Sequence, residues 1–124
     1  MTNVDVHEIT VNGTTYVPKD SVKAPAPLLD GMMYCIIRTY SAGVFAGYLE
    51  KREGKEVYLR RARRIWRWEG AASLSELSMS GTKKPEECKF PEEMDLVILT
   101  EAIEIIPCTA QAKASIEAVP VWRS

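Results

Sequence analysis

The spacing of apolar and polar positions changes several times along the chain, and each change marks an element. Residues 8–17 read Glu-Ile-Thr-Val-Asn-Gly-Thr-Thr-Tyr-Val. Two β-rich arms around Asn12-Gly13 predict a hairpin with a type I′ turn, because Asn-Gly readily takes positive φ at both central positions. Pro18 stops the second arm from continuing inside a sheet. Residues 19–31 hold two spaced prolines and no helical stripe, which predicts a linker or a surface strap.

The main domain is expected to begin at Met32. Residues 33–40 are rich in β-formers and read as a strand, followed by a break at Ser41-Ala42-Gly43. Val44 to Lys51 reads as a second strand, residues 52–55 as a turn, and Glu56 to Ala62 as a third strand. Residues 63–68 either continue that strand or form a fourth. Even positions from 58 run Tyr58, Arg60, Ala62, Arg64, Trp66, Trp68, and odd positions run Val57, Leu59, Arg61, Arg63, Ile65, Arg67. Neither face is purely apolar, so a bulge or register change is expected near Ala62.

Ser73-Leu74-Ser75-Glu76 fits a capping box, and Gly81 supplies a C-terminal stop for a helix over 74–80. Residues 82–93 are polar, contain Pro85 and Pro91, and predict a loop. Residues 95–99 and 102–106 predict two strands apolar enough to lie in the core, the second ended by Pro107. Thr109 is the expected N-cap of a helix to Ala118, and residues 119–122 predict a short terminal edge strand. The order implies an α+β fold: a small, mostly antiparallel β-sheet with two short helices, plus an N-terminal β-hairpin arm. Residues 1–31 form the hairpin and Pro-containing linker, and residues 32–124 the main α+β domain.

Length and composition sharpen this picture. The 124 residues suit one domain, and 46% hydrophobic with 27% charged residues predicts a folded chain. A net charge of −1 argues against a general nucleic-acid coat. The charge is unevenly placed. Residues 51–67 hold eight Lys and Arg against Glu53 and Glu56, whereas Glu86, Glu87, Glu92, Glu93 and Asp95 cluster later. Such asymmetry favours a local positive pocket or contacts between opposite patches. Cys35, Cys88 and Cys108 form no Cys-x-x-Cys pair, which speaks against zinc, and Cys35 and Cys108 read as core residues. Residues 1–5 have neither a basic start nor an apolar run, and no stretch approaches the roughly 20 apolar residues of a membrane span. A cytoplasmic protein with reduced thiols and no membrane association is expected.

The chemistry concentrates between residues 60 and 73. Five arginines and two tryptophans fall within residues 60–68, directly before the predicted helix start. Guanidinium groups offer forked, permanently charged donors that suit phosphate oxygens. Indole rings offer faces for stacking, and a helix N-terminus offers free N–H groups. Strand alternation predicts two sets, Arg60 with Arg64 and Arg61 with Arg63 and Arg67, one facing solvent or the acidic loop and one converging on a ligand. Trp66 and Trp68 share one face if the strand is regular, as core or as a stacking platform. Trp122 is expected in the core or at an interface. Ser73 and Ser75 are helix-capping residues or anion donors. Glu92, Glu93 and Asp95 read as a solvated acidic loop rather than a cation site. Enzyme signals are weak: His7 is the sole histidine, and no phosphate-loop or dinucleotide-binding glycine pattern is present. No catalytic residue, metal or cofactor is expected.

Several segments resemble a family of small proteins encoded by tailed bacteriophages and prophages. They are Thr39-Tyr40-Ser41-Ala42-Gly43-Val44, Ala62-Arg63-Arg64-Ile65-Trp66, residues 68–75, Cys88-Lys89-Phe90-Pro91 and residues 104–109. The likeness spans about Tyr34 to Trp122. Members tend to carry Tyr at the position of Arg67 and Gln at that of Glu76, which counts against ligand roles for those two. The resemblance implies a phage setting, in the cytoplasm of an infected bacterial host. Small phage proteins that hold nucleotides without transforming them act as sponges for immune second messengers, typically as compact homo-oligomers with pockets at subunit boundaries. The expectation is an anti-defence protein that sequesters a cyclic oligonucleotide or cyclic ADP-ribose type signal without cleaving it. Arg63, Arg64, Trp66, Trp68 and Ser73 are its expected ligand-binding residues, with Tyr40 and Ser41 in support. The rivals are a single-stranded nucleic-acid-binding module, and a structural or host-protein-interaction role.

Overall fold

The computed structural model describes residues 24–123 in full and the backbone of residues 9–11 and 14–16. The arms of the N-terminal hairpin are β1 (Ile9–Val11) and β2 (Thr14–Tyr16). They pair antiparallel with Val11 opposite Thr14, the register that a two-residue turn at Asn12-Gly13 requires. The turn itself, Pro18 and His7 lie outside the described residues.

The main domain has an α+β fold. Its strands are β3 (Met33–Thr39), β4 (Val44–Glu53), β5 (Glu56–Arg64), β6 (Met94–Leu99) and β7 (Ala102–Pro107), in the order β6-β5-β4-β3-β7 with antiparallel neighbours throughout. The helices are α1 (Leu74–Ser80) and α2 (Ala110–Ala118).

The two edge strands are consecutive in sequence, which forces the sheet to curl. Only Thr100 and Glu101 separate β6 from β7. Three peptide steps span at most about 11 Å. The edges of a flat five-stranded sheet would stand roughly 19 Å apart, four spacings of about 4.8 Å. The sheet therefore bends into a partly closed barrel, and Ala102 N–H reaches the Lys55 carbonyl at 2.9 Å to seal the corner.

Curling gives the sheet two buried faces. Cys35, Ile37, Phe45, Val57, Leu59, Ala62 and Leu99 fill the inner one. Tyr34, Ile36, Ala46 and Tyr48 face outward, where α1, α2 and Phe90 cover them with Leu77, Ala112 and Ile116. This explains the unbroken apolar run Tyr34-Cys35-Ile36-Ile37, every residue of which is buried. Each fully buried Ile, Leu or Phe contributes about 1.5–3 kcal/mol relative to exposure.

Several local signals act as the sequence predicts. Ser73 Oγ accepts from Glu76 N–H at 3.2 Å, while the Glu76 carboxylate accepts from Ala72 N–H at 3.1 Å, one residue ahead of the usual capping-box partner. Gly81 ends α1 at φ 78°, its N–H on the Leu77 carbonyl at 2.9 Å. Thr109 caps α2 by accepting from Ala112 N–H at 3.0 Å. Residues 24–32 act as a strap: Ala26 is buried and donates to the Cys108 carbonyl, and Ala110 N–H returns to the Ala24 carbonyl.

Other expectations are corrected. Residues 94–99 and 102–107 are the two sheet edges rather than core strands. Only Leu99 among them is fully buried, because a strand with one neighbour leaves its outer flank open. The expected terminal strand reduces to one bridge between Val121 and Phe90, and Trp122 lies 40% exposed beneath the Lys89 ammonium rather than in the core. The polar loop 82–93 is tied down. Thr82 Oγ1 donates to the Glu69 carbonyl, Pro85–Glu87 form a 3-10 turn, and Phe90 is fully buried.

Candidate ligand-binding site

The arginine-rich stretch lies on β5, and its geometry follows from a bulge. Ala46 pairs with Arg63 and Tyr48 with Arg60, so Gly47 alone faces both Arg61 and Ala62. Arg61 takes φ 50°, the left-handed region, at an order-of-magnitude cost of about 1–3 kcal/mol. Gly47 is required opposite: a Cβ there would stand 2.8 Å from the Arg60 carbonyl and 3.0 Å from the Ala62 Cα. The bulge expected near Ala62 is therefore present, and it breaks the alternation on which two clean arginine sets depend.

Each arginine consequently has its own surroundings. Arg60 pairs with Glu50 at 2.5 Å, Arg61 with Glu93 of the acidic loop at 3.4 Å, and Arg67 with Glu69 at 3.2 Å. Arg63 is buried and donates to the carbonyls of Pro91 (3.1 Å), Ile116 (2.9 Å) and Phe90 (2.9 Å). Burial holds its guanidinium below the usual arginine range. Arg64 donates to the Ala42 carbonyl at 2.8 Å and stacks 4.3 Å from the Phe45 ring centroid. Arg63 and Arg64 form no close ion pair among the described residues, although Glu93 acts on Arg63 electrostatically.

Arg64 thereby joins Tyr40 and Ser41 at the β3–β4 turn. Thr39 builds that turn, accepting from Ala42 N–H at 2.8 Å and donating to the Gly43 carbonyl at 2.7 Å. Tyr40 N–H donates to the Glu101 carbonyl at 2.9 Å, and Ser41 Oγ approaches the Glu101 carboxylate at 3.5 Å. The Tyr40 side chain is 76% exposed. Trp66, two residues beyond Arg64, is 64% exposed.

The remaining candidates sit elsewhere. Trp68 is half-buried against the outer core cluster, and Ser73 Oγ caps α1. The two tryptophans do not share a strand face, because β5 ends at Arg64. Trp66 and Arg67 N–H groups turn to the Lys89 carbonyl, at 3.1 and 3.2 Å. Arg63 points to the helix-covered side and Arg64 to the turn. The structure thus gathers Tyr40, Ser41 and Arg64 and separates them from Arg63, Trp68 and Ser73. Phe45 completes the Arg64 surroundings, and Glu101 those of Tyr40 and Ser41. The sequence carried no signal for them, since both arrive through the barrel closure and cross-strand pairing.

No group of three or more His, Cys, Asp or Glu that could hold a metal ion occurs among the described residues. Cys35, Cys88 and Cys108 are buried free thiols. No helix among the described residues is long and apolar enough to cross a membrane.

A family described as "Domain of unknown function (DUF6948)" matches residues 32–116. The chain belongs to this family. The DUF6948 match takes in the whole curled sheet, α1, and α2 as far as Ile116, and so contains Tyr40, Ser41, Arg64 and Trp66. No curated protein and no solved structure matches the chain.

Proposed function

We propose that this protein is a phage anti-defence protein that captures a cyclic nucleotide immune signal, of the cyclic oligonucleotide or cyclic ADP-ribose type, and holds it without cleaving it. The observation that carries this reading is the surface at Arg64. A guanidinium with no ion-pair partner among the described residues rests on the Ala42 carbonyl of the turn that carries exposed Tyr40, and exposed Trp66 follows two residues on. Arginine supplies charge-assisted bonds to phosphate, and the rings supply stacking faces for bases. Arg64, Trp66, Tyr40 and Ser41 then contact the ligand, while Arg63, Trp68 and Ser73 serve the fold away from it.

The clefts at Arg61–Val121 and at Leu29–Arg61 do not include Tyr40, Arg64 or Trp66. Such an open setting fits a pocket completed by a second subunit of a homo-oligomer. Exposed Leu96 and Ile98 on one sheet edge and Ile103 on the other support association. The same openness favours, as a second reading, a single-stranded nucleic-acid-binding module.

Calorimetric titration with cyclic dinucleotides, cyclic trinucleotides and cyclic ADP-ribose isomers, with single-stranded DNA as control, tests the proposal. Tight binding of one messenger, returned intact after heat denaturation, is the expected result. Recovery of a cleaved product, or salt-sensitive binding of DNA alone, would overturn it.

A further inference from the structure

The two edges of the curled sheet are built differently. On β7, Ile103 stands unpaired as a bulge between Ala102 and Glu104, the Glu104 carboxylate is held by Arg38 at 2.9 Å, and Pro107 ends the strand without an N–H. Bulges, charges and prolines are the devices that keep an edge strand from pairing with another chain. β6 has none of them over Leu96-Val97-Ile98-Leu99. Its register with β5 is unbroken from Leu96 opposite Arg60 to Leu99 opposite Val57, and it hydrogen-bonds to β5 alone.

The side chains of β6 leave half of it uncovered. Val97 and Leu99 pack into the inner core cluster with Leu59 and Val57. Leu96 and Ile98 are 36% and 45% exposed, beside Arg60 and Tyr58, and neither belongs to the cluster that α1, α2 and Phe90 cover. An apolar edge of this kind is a template for another strand.

The strand that fits it is its own copy. Laid antiparallel about a two-fold axis at Val97, Val97 faces the partner's Val97 and Leu96 faces the partner's Ile98. Such a pairing sets odd positions against odd and even against even, so both strands offer their free N–H and C=O groups in the same rows. The Leu96 and Ile98 side chains then cover each other across the axis.

Charge agrees with this register. Asp95 and Lys55 form no ion pair among the described residues. Asp95 faces the partner's Leu99, whose neighbour on β5 is Val57, two residues after Lys55. Two strand spacings and two residue steps set the Cα atoms of Asp95 and the partner's Lys55 roughly 12 Å apart, within the combined reach of the two side chains. Arg60, which also feels Asp95, is held by Glu50. Glu93 and the partner's Glu101 come opposite one another beyond the strand ends, but Arg61 already neutralises Glu93.

We infer that β6 is the self-association edge of this protein. Two copies join through residues 95–99 into one continuous antiparallel sheet, and assembly stops at the dimer because the two edges left outward are the blunted β7 strands. The inference takes up the homo-oligomer of the proposed function and not its ligand, so each fails or stands without the other.

The experiment is sedimentation equilibrium of the full chain at micromolar concentrations without nucleotide, with amide hydrogen exchange on the same samples. A dimer mass is expected, with exchange in β6 slowing as concentration rises. Ile98→Lys charges an exposed position and is expected to weaken the dimer about tenfold or more. Ile103→Lys on β7 is expected to leave it unchanged. Asp95→Lys, which alters no packed side chain, is expected to weaken the dimer about threefold, and adding Lys55→Asp to restore it. A monomer at every concentration overturns the inference, and β6 amides protected in that monomer would assign the edge to the chain's own N-terminal arm. A dimer unmoved by both Ile98→Lys and Asp95→Lys, or one that Ile103→Lys disrupts equally, also overturns it.

Discussion

Arg63 holds Phe90 at two points: its Nη2 donates to the Phe90 carbonyl at 2.9 Å, and its guanidinium carbon lies 5.5 Å from the centroid of the Phe90 ring. Phe90 is fully buried, so this one arginine pins the loop before β6 to β5 and, through the Ile116 carbonyl, to the end of α2. Arg63→Met removes three hydrogen bonds, leaving the Phe90 and Ile116 carbonyls with Trp122 N–H and Val119 N–H alone, and is expected to cost about 2–3 kcal/mol. Arg63→Lys, with a point charge in place of the fork, is expected to recover only part of that. Urea unfolding curves check both, and equal stability of wild type and Arg63→Met would refute this role.

Ser73 and Trp66 are expected to separate folding from binding. Ser73→Ala removes the cap bond to Glu76 N–H and should lower stability by about 1 kcal/mol. Its nucleotide affinity should match the wild type. Trp66→Ala removes an exposed ring, which should change stability by less than about 0.5 kcal/mol. It should nevertheless lose about 1–3 kcal/mol of nucleotide binding. Paired melting and calorimetry on the two variants give the comparison.

Gly47→Ala is expected to destabilise by about 1–3 kcal/mol. The added methyl would sit 2.8 Å from the Arg60 carbonyl, which is backbone and cannot swing aside. If thermal melting finds this variant as stable as the wild type, the close approach at the bulge is wrong.

Thr109 links the two helices. Its hydroxyl accepts from Ala112 N–H at 3.0 Å and donates to the Met79 carbonyl at 2.7 Å, so it starts α2 and holds the end of α1. Thr109→Val keeps the shape and loses both bonds, at an expected cost of about 1–2 kcal/mol. Denaturant midpoints measure it, and hydrogen exchange should show earlier opening in α1 as well as α2.

The buried thiols set the alkaline limit. Burial pushes Cys35 and Cys108 up to about 12 from the usual value of 9.0, with the neighbouring Cys108 adding to the effect on Cys35. Burial, reinforced by Cys108, also raises the Tyr34 phenol. The fold favours the protonated form of all three, so their contribution is complete below the unfolded values. It is lost as pH rises from the unfolded thiol value toward the folded one. In reducing buffer the melting temperature should be level between about pH 6 and 8 and fall above about pH 9. Thiol reagents should label Cys35 and Cys108 only after unfolding. Rapid labelling of the native protein at neutral pH would contradict this.

The sequence by itself determined the local elements. The Asn12-Gly13 signal marked the two arms that pair on either side of it, Ser73 and Thr109 started the helices, and Gly81 stopped the first. The slip in alternation near Ala62 announced the bulge. These signals act between residues a few positions apart, so composition and spacing suffice to read them.

What only the tertiary structure decided is where each element faces. Leu96, Ile98 and Ile103 look like core in sequence, yet the strand order makes β6 and β7 the sheet edges and leaves them exposed. Tyr34 to Ile37 are buried on both faces because the curled sheet encloses Cys35 and Ile37 while α1, α2 and Phe90 cover Tyr34 and Ile36. The arginine cluster divides for the same reason. One bulged residue and the end of β5 send Arg63 beneath α2, Arg64 to the β3–β4 turn and Trp66 into solvent. Hydrophobic burial and carbonyl acceptors contributed by residues 22 to 53 positions away decide those fates, and no local pattern encodes them.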